Sequence, residues 1–302
     1  MNFLVTGGCG FIGSNAVNYL ISLGHSVVVI DNLSSDAHDQ FYNNSSAVYY
    51  NYDVTDYVMC SEVFNRHKPD YVLHFAAEAR IQNCINDPIK AYESNLIGTL
   101  MLLALCNTYN VKRFVLSSTS AIYGLVNEGL LSEDMNPDCL NAYSLSKLSA
   151  EQACKMYSDL YGLSTVCLRY FNVYGPHQPK RGSYAPVIGI FSRQLKNNEK
   201  MTIVGDGNQT RDYVHVSDVV NANLLAALSE IDLKGDVFNV GSGKNYSVLE
   251  LAKMMQGEYT FLPERVGEAR HTLADTTKIK QYFEWEPKKS LKEYMENKEY
   301  DN

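Results

Sequence analysis

The chain has 302 residues, 45% of them hydrophobic and 20% charged, with a formal net charge of -8. That is the composition of a globular protein long enough to bury a core without staples, and its acidic balance argues against a general nucleic-acid binder, whose footprint would be basic. Seven scattered cysteines without a C-x-x-C pair argue against a disulfide framework and a metal site; with no apolar run of 18 residues and no leader pattern, a cytoplasmic protein in a reducing compartment, without a membrane partner, is expected.

Residues 2–7 (NFLVTG) read as a short buried strand. Ile12, Ala16, Tyr19, Leu20 and Leu23 recur at helical spacing over 12–23, and Gly24 supplies the stop. The β-branched run 26–31 predicts a second strand and 47–54 a third. A helix over 56–66, a strand over 70–77, a long helix over 88–110 and a strand over 113–120 follow. A helix over 143–161 leads to a sixth strand that begins the segment 163–175. This alternation predicts an α/β fold, a doubly wound parallel sheet with helices on both faces. After residue 175 the rhythm breaks in the segment GPHQPKRGSY, then helices over 186–198 and 217–229 and strands over 201–204 and 236–240 are expected. The expected division is a Rossmann domain over 1–175 and a smaller substrate lobe over 176–302, partly interleaved with it, with the polar end NKEYDN frayed.

The segment GGCGFIGS follows the first strand and opens the first helix, with Gly7, Gly10 and Gly13 spaced G-x-x-G-x-x-G. A glycine turn lets backbone N–H groups approach a pyrophosphate, and the helix N-terminus favours its charge. Asp31 ends the second strand, eighteen residues beyond Gly13. A carboxylate there accepts from both ribose hydroxyls and repels a 2′-phosphate, so the expected cofactor is NAD rather than NADP. Tyr143 and Lys147 stand i, i+4 on one face of a predicted helix. A phenol is a poor base at neutral pH, and a neighbouring ammonium is expected to lower its pKa. Such a pair suits hydride-transfer chemistry, in which the base takes a proton from a hydroxyl as its carbon is oxidised.

The spaced glycines, Asp53-Val54, HFAA at 74–77, SSTSAIYG at 117–124, LRYFNVYGP at 168–176 and GDGNQTRDYVHVSDVV at 205–220 together resemble the extended short-chain dehydrogenase/reductases, in the nucleotide-sugar epimerase/dehydratase branch, over nearly the whole chain. Within that branch the chain is most similar to the UDP-glucose/UDP-N-acetylglucosamine 4-epimerases. The resemblance implies that Asp53 and Val54 contact the adenine and that Phe75, Ala76 and Ala77 lie beside the nicotinamide. His74 reads equally as a satisfied strand histidine. Asn95 matches a structural asparagine counted with the cofactor site, and Phe11, Ile12, Asn32 and Ser117 complete the cofactor set with Tyr143 and Lys147. Thr119 matches the hydroxyl that relays the proton, with Ser118 as its neighbour. Asn172, Arg211 and Arg265 match positions that hold the nucleotide diphosphate, and Arg80 and Arg181 are weaker candidates for the same pocket.

Two positions bear on the reaction. Related dehydratases carry an acid pair after the relay hydroxyl, and this chain has Ser120-Ala121, which disfavours elimination. The resemblance places Thr272, three residues before Asp275, where a tyrosine would confine the pocket to plain hexoses; threonine leaves room for an N-acetyl group. The expectation is an NAD-dependent isomerase, a homodimer, that epimerises C4 of a UDP-hexose, UDP-GlcNAc/UDP-GalNAc above all and UDP-glucose/UDP-galactose besides, through a 4-keto sugar. NAD is then resident and regenerated in every turnover. The alternatives are an epimerase of a UDP-uronic acid and a non-catalytic dinucleotide sensor. Leu100, Leu102, Leu103 and Met156 serve either a subunit contact or the core of one chain.

Overall fold

Strands that are apolar along their whole length need cover on both faces, and helices supply it here. The computed structural model describes residues 1–35, 40–180, 185–263 and 270–301. The first half runs β1 (Asn2–Thr6), α1 (Phe11–Ser22), β2 (Ser26–Ile30), β3 (Val48–Tyr50), α2 (Tyr57–His67) and β4 (Tyr71–His74). It continues with α3 (Ile81–Asn86), α4 (Pro88–Tyr92), α5 (Gly98–Thr108), β5 (Arg113–Thr119), α6 (Ala142–Tyr161), β6 (Thr165–Tyr170) and β7 (Asn172–Tyr174). The second half holds α7 (Val187–Lys196), β8 (Met201–Val204), β9 (Thr210–His215), α8 (Val216–Leu228), β10 (Asp236–Val240), β11 (Asn245–Ser247), α9 (Val248–Met254), β12 (Tyr259–Leu262), α10 (Thr277–Phe283) and α11 (Leu291–Glu296).

Seven strands make one parallel sheet in the order β10-β6-β5-β4-β1-β2-β3. Alternation along each strand divides the core. Phe3, Val5, Val115, Val166 and Leu168 join α1 and α8 on one face. Leu4, Phe114, Leu116 and Cys167 join α2, α5 and α6 on the other. The strand order reverses between β1 and β4, which opens a crevice beyond Thr6 and His74, where open α/β sheets bind ligands.

Residues 176–302 do not close on themselves. α8 packs under the main sheet, and β10 extends that sheet by pairing with β6. The remainder builds a small sheet, β11-β9-β7, and a parallel pair, β12-β8, around a separate core that includes Tyr174, Phe191, Met201, Leu251 and Tyr294.

Several predicted elements differ from those observed. The strands over 47–54 and 70–77 shrink to β3 and β4, because the chain turns into the crevice after them. The helix over 88–110 is divided by a π-helical turn, Glu93–Ile97, which carries the buried Asn95. The span Pro88–Thr108 is long and apolar enough to cross a bilayer by composition, yet it packs along the sheet through Leu102, Leu103 and Leu105. Leu102 and Leu103 are therefore core, whereas Met156 stands exposed.

The end of the chain is not frayed through Tyr300. Its ring is buried in the second core and its carbonyl accepts from Ser192 Oγ at 2.7 Å. Tyr300→Ala is expected to cost about 3 kcal/mol, as for other buried aromatics cut to alanine. Urea unfolding of the full chain checks this, and an unchanged midpoint contradicts it.

Candidate active site

A cavity of about 1610 Å³ runs along the crevice, walled by the carboxyl ends of the main strands and by residues of the second half. It exceeds the usual range for one drug-sized ligand and has room for two extended ones.

The first wall is built on glycine. Gly7 has φ +67°, and a Cβ there would stand 2.7 Å from Ala76 N. A Cβ on Gly13 would stand 2.1 Å from Gly7 O, so only glycine lets the first turn of α1 settle on this loop. Gly10 is the N-cap and brings no side-chain acceptor, which leaves the helix N–H groups open toward the cavity. Phe11 and Ile12 line the same wall. Asp31 Oδ2 accepts from Cys9 N and Oδ1 from Leu33 N, both at 2.9 Å, so the acid fixes the glycine turn and still faces the cavity. Asn32 Nδ2 donates to Asp53 Oδ2 at 2.7 Å. Burial pushes the Asp53 carboxyl up, but hydrogen bonds from Thr55 and Asn32, with the charge of Lys90, outweigh it and hold it below its ordinary value. Val54, Phe75, Ala76 and Ala77 also line this part.

The second wall carries the phenol, the ammonium and the hydroxyls. α6 begins at an Asn141–Ser144 capping box and presents Tyr143 and Lys147 to the cavity. β5 ends there with Ser117, Ser118 and Thr119. Thr119 Oγ1 accepts from Ala121 N at 3.1 Å, which leaves its proton for Tyr143. Burial raises the Tyr143 phenol above its ordinary value, and the hydrogen bond from Thr119 opposes that. The net direction is up, not down, which differs from the expectation from spacing. The lysine itself is the perturbed group, since burial brings it down to about 8. Its Nζ is buried and has no hydrogen-bond partner among the described residues.

Two predicted residues are committed elsewhere. Asn95 does not line the cavity: its amide accepts from Glu78 N and donates to Glu78 O and Ser146 Oγ, so it shapes the loop after β4. Ser118 borders the cavity, but its hydroxyl donates to Glu151 Oε1 at 2.5 Å. His74 is a satisfied strand histidine. The Thr99 hydroxyl donates to Asn95 O and accepts from His74 Nε2, while Nδ1 accepts from Thr6. Burial, then the charge of Lys147, brings His74 down to about 3, so it is neutral.

Arg80, Asn172, Arg211 and Thr272 reach the far part of the cavity. Arg211 Nη1 donates to Thr210 O, which aims it across β9. Thr272 is buried, with its backbone N–H on Thr210 O and its hydroxyl oxygen 3.4 Å from Asp212 N. Arg181 and Arg265 lie outside the described residues. Sequence reasoning missed Glu151, buried four residues beyond Lys147, and the wall formed by Val187, Ile190, Val204 and Val248. The i, i+4 step from Lys147 to Glu151 was the available signal for the first.

The family model for the NAD-dependent epimerase/dehydratase family matches residues 3–241. The chain belongs to this family. Among its curated relatives is the UDP-glucose 4-epimerase of Halalkalibacterium halodurans, 34% identical across 95% of this chain and 91% of that protein. Among solved structures, the UDP-glucose 4-epimerase of Thermotoga maritima with UDP-glucose is 38% identical and superposes with a TM-score of 0.93 over 100% of this chain and 98% of the other. The UDP-N-acetylglucosamine 4-epimerase of Methanobrevibacter ruminantium, bound to UDP-N-acetylmuramic acid, is 32% identical with a TM-score of 0.90, covering 99% of this chain and 96% of the other.

NAD is the cofactor of this epimerase/dehydratase, and the first wall fits it. The glycine cradle admits a pyrophosphate, Asp31 suits a ribose, and the partnerless Lys147 Nζ suits the second ribose. Gly13→Ala is expected to yield folded protein without NAD, as measured by extraction; a full complement of NAD contradicts it. Lys147 is charged below about 8 and neutral above, so NAD affinity of stripped protein is expected to fall about tenfold as pH rises from 7 to 9.5, the worth of one charge-assisted hydrogen bond. Calorimetry showing constant affinity over that range removes Lys147 from the role.

Proposed function

We propose that the protein is a UDP-hexose 4-epimerase that accepts UDP-GlcNAc and UDP-GalNAc, with the glucose pair as further substrates. The carrying observation is that one cavity joins Thr119, Tyr143 and Lys147 on one side to the small, buried Thr272 on the other. The names of its relatives support a UDP-sugar.

In this reading Gly7, Gly10, Gly13, Asp31 and Lys147 hold NAD. NAD held there would supply a hydride acceptor, and afterwards donor, for C4. Tyr143 Oη takes the proton of the 4-hydroxyl, directly or through Thr119, and returns it to the same oxygen, O4, after the 4-keto sugar has turned and hydride has been restored to the other face of C4. The Lys147 ammonium favours the phenolate once the substrate hydroxyl is close. Ser120 and Ala121 offer no carboxyl group, which supports return of hydrogen to C4 rather than loss of water. Arg80, Arg211 and Asn172 hold the nucleotide end, and the volume a tyrosine ring would fill at Thr272 is left to an acetamide.

We also infer a homodimer that uses the exposed apolar side chains Ile89, Leu145, Met156 and Leu160 along α4 and α6. Free cysteines throughout support a reducing, cytoplasmic setting.

Incubation of purified protein with a panel of UDP-sugars, followed by chromatography, tests the reading. Interconversion of UDP-GlcNAc and UDP-GalNAc without added reductant is expected, and no conversion of any UDP-hexose overturns it. Tyr143→Phe is expected to lower kcat by roughly 10³ while keeping NAD. Thr272→Tyr is expected to keep the glucose pair and reduce turnover of the N-acetylated pair by roughly 100-fold, the scale of steric discrimination in a pocket. Equal turnover of both pairs by that variant removes Thr272 from the wall.

A further inference from the structure

Tyr143, Lys147 and Glu151 stand at successive i, i+4 steps of α6, so one helical stripe carries a phenol, an ammonium and a carboxylate. The third member is not on the cavity wall. Its carboxyl group is buried behind the wall, with 2% of the side chain exposed. There it meets the two neighbouring strands. Ser118 of β5 and Arg169 of β6 are register partners, and both reach Glu151. Ser118 donates to Oε1 at 2.5 Å, and the Arg169 fork closes on both oxygens, Nε at 2.9 Å and Nη2 at 2.8 Å. Arg169 is itself buried, its Nη1 has no hydrogen-bond partner among the described residues, and its guanidinium lies 5.0 Å from the Tyr123 ring centre.

A charge placed this deeply acts on its neighbours. The groups facing Lys147 are Tyr143, Glu151 and Cys154 on α6, Cys167 on β6, Cys84 on α3 and His74 on β4. Burial pushes Cys84 up to about 12, the Cys154 contact and burial push Cys167 well above its ordinary value, and His74 is neutral. Of these groups Glu151 brings the only carboxylate. Without it, Lys147 would share the interior with an uncompensated Arg169 cation.

We propose that Glu151 is a positioning residue for the proton-transfer centre: it fixes Ser118 beside Thr119 at the end of β5 and supplies the negative charge that faces Lys147 along the stripe. It touches neither sugar nor cofactor and acts through these neighbours. By holding the Ser118 proton, it leaves Thr119 as the hydroxyl that serves Tyr143. By offsetting Arg169, it keeps Lys147 protonated at neutral pH despite burial. This rests on the 4-epimerase reading for its kinetic readout alone.

Glu151→Gln keeps the shape and removes the charge. The alkaline limb of the pH profile of kcat/KM is expected to move down by roughly one pH unit, the scale on which one nearby charge shifts a buried group. The pH at which stripped protein loses NAD affinity, read by calorimetry, should move down with it. In the doubly neutral variant Glu151→Gln/Arg169→Met, both limbs should return to within a few tenths of a pH unit of the wild type. A folded Glu151→Gln variant with wild-type limbs overturns the proposal. So does a double variant whose limbs stay displaced, and that result decides the matter if the single variant fails to fold. Failure of the 4-epimerase reading looks different: the wild type then converts no UDP-hexose, while the calorimetric limb still tests Glu151.

Discussion

The burial of one ammonium group governs this molecule. Lys147 is only 2% exposed, and burial takes it down to about 8. An isolated cation in such a place is costly unless fixed groups replace its hydration. The surrounding structure reflects that demand. Burial keeps His74 neutral between two threonine hydroxyls, burial pushes the Cys84 thiol up to about 12, and Glu151 pairs with the buried Arg169. Among the described residues Nζ itself has no hydrogen-bond partner. An ammonium buried at the wall of the cavity with no partner among the described residues suits the hydroxyls of a ribose, so the group that is costly to bury also fits a cofactor.

That constraint also explains why the second half of the chain does not form a separate body. The cavity needs a wall opposite α6 at a fixed distance. α8 and β10 pack into the main sheet, and Asn239 on β10 accepts from Tyr123 Oη and donates to Leu131 O and Asp275 O. The segment that carries Thr272 is therefore tied both to the sheet bearing the catalytic strand and, through Thr210 and Asp212, to β9. The wall that carries Thr272 and the wall that carries Tyr143 are parts of one hydrogen-bonded framework.

How much of this was legible in the sequence follows from the range of the interactions. The glycine turn, the acid at the end of β2 and the Tyr143–Lys147 step are local, and their spacing carries their meaning. All seven strands of the main sheet were readable as apolar or β-branched runs, β10 among them. β9, β11 and β12 were not, since they are short or carry polar and exposed residues. Asn95 resembled a cofactor residue, but its partners Glu78 and Ser146 come from distant segments that only the folded chain brings together. The behaviour of Tyr143 went astray for a related reason. Proximity to a lysine argues for a lowered phenol, and the larger effect, desolvation, has no signature in spacing.

Asp31 shows how a readable residue can still hold more than its motif conveys. Its position suggests a ribose acceptor. In the fold it spends one lone pair on Cys9 N, inside the glycine turn, and another on Leu33 N, where the backbone enters the left-handed region with φ +54°. Cys9 O in turn accepts from Tyr42 N, and Ser14, one residue past Gly13, meets the ring of His177 at 2.8 Å. The turn that would cradle a pyrophosphate is thus fastened by β2, by the loop that follows it and by the loop after β7. Backbone N–H groups stabilise an anion in proportion to how little they must rearrange to meet it. A turn held from three sides has little freedom left to lose on binding, and that favours a cofactor that stays through many turnovers over one that is exchanged in each.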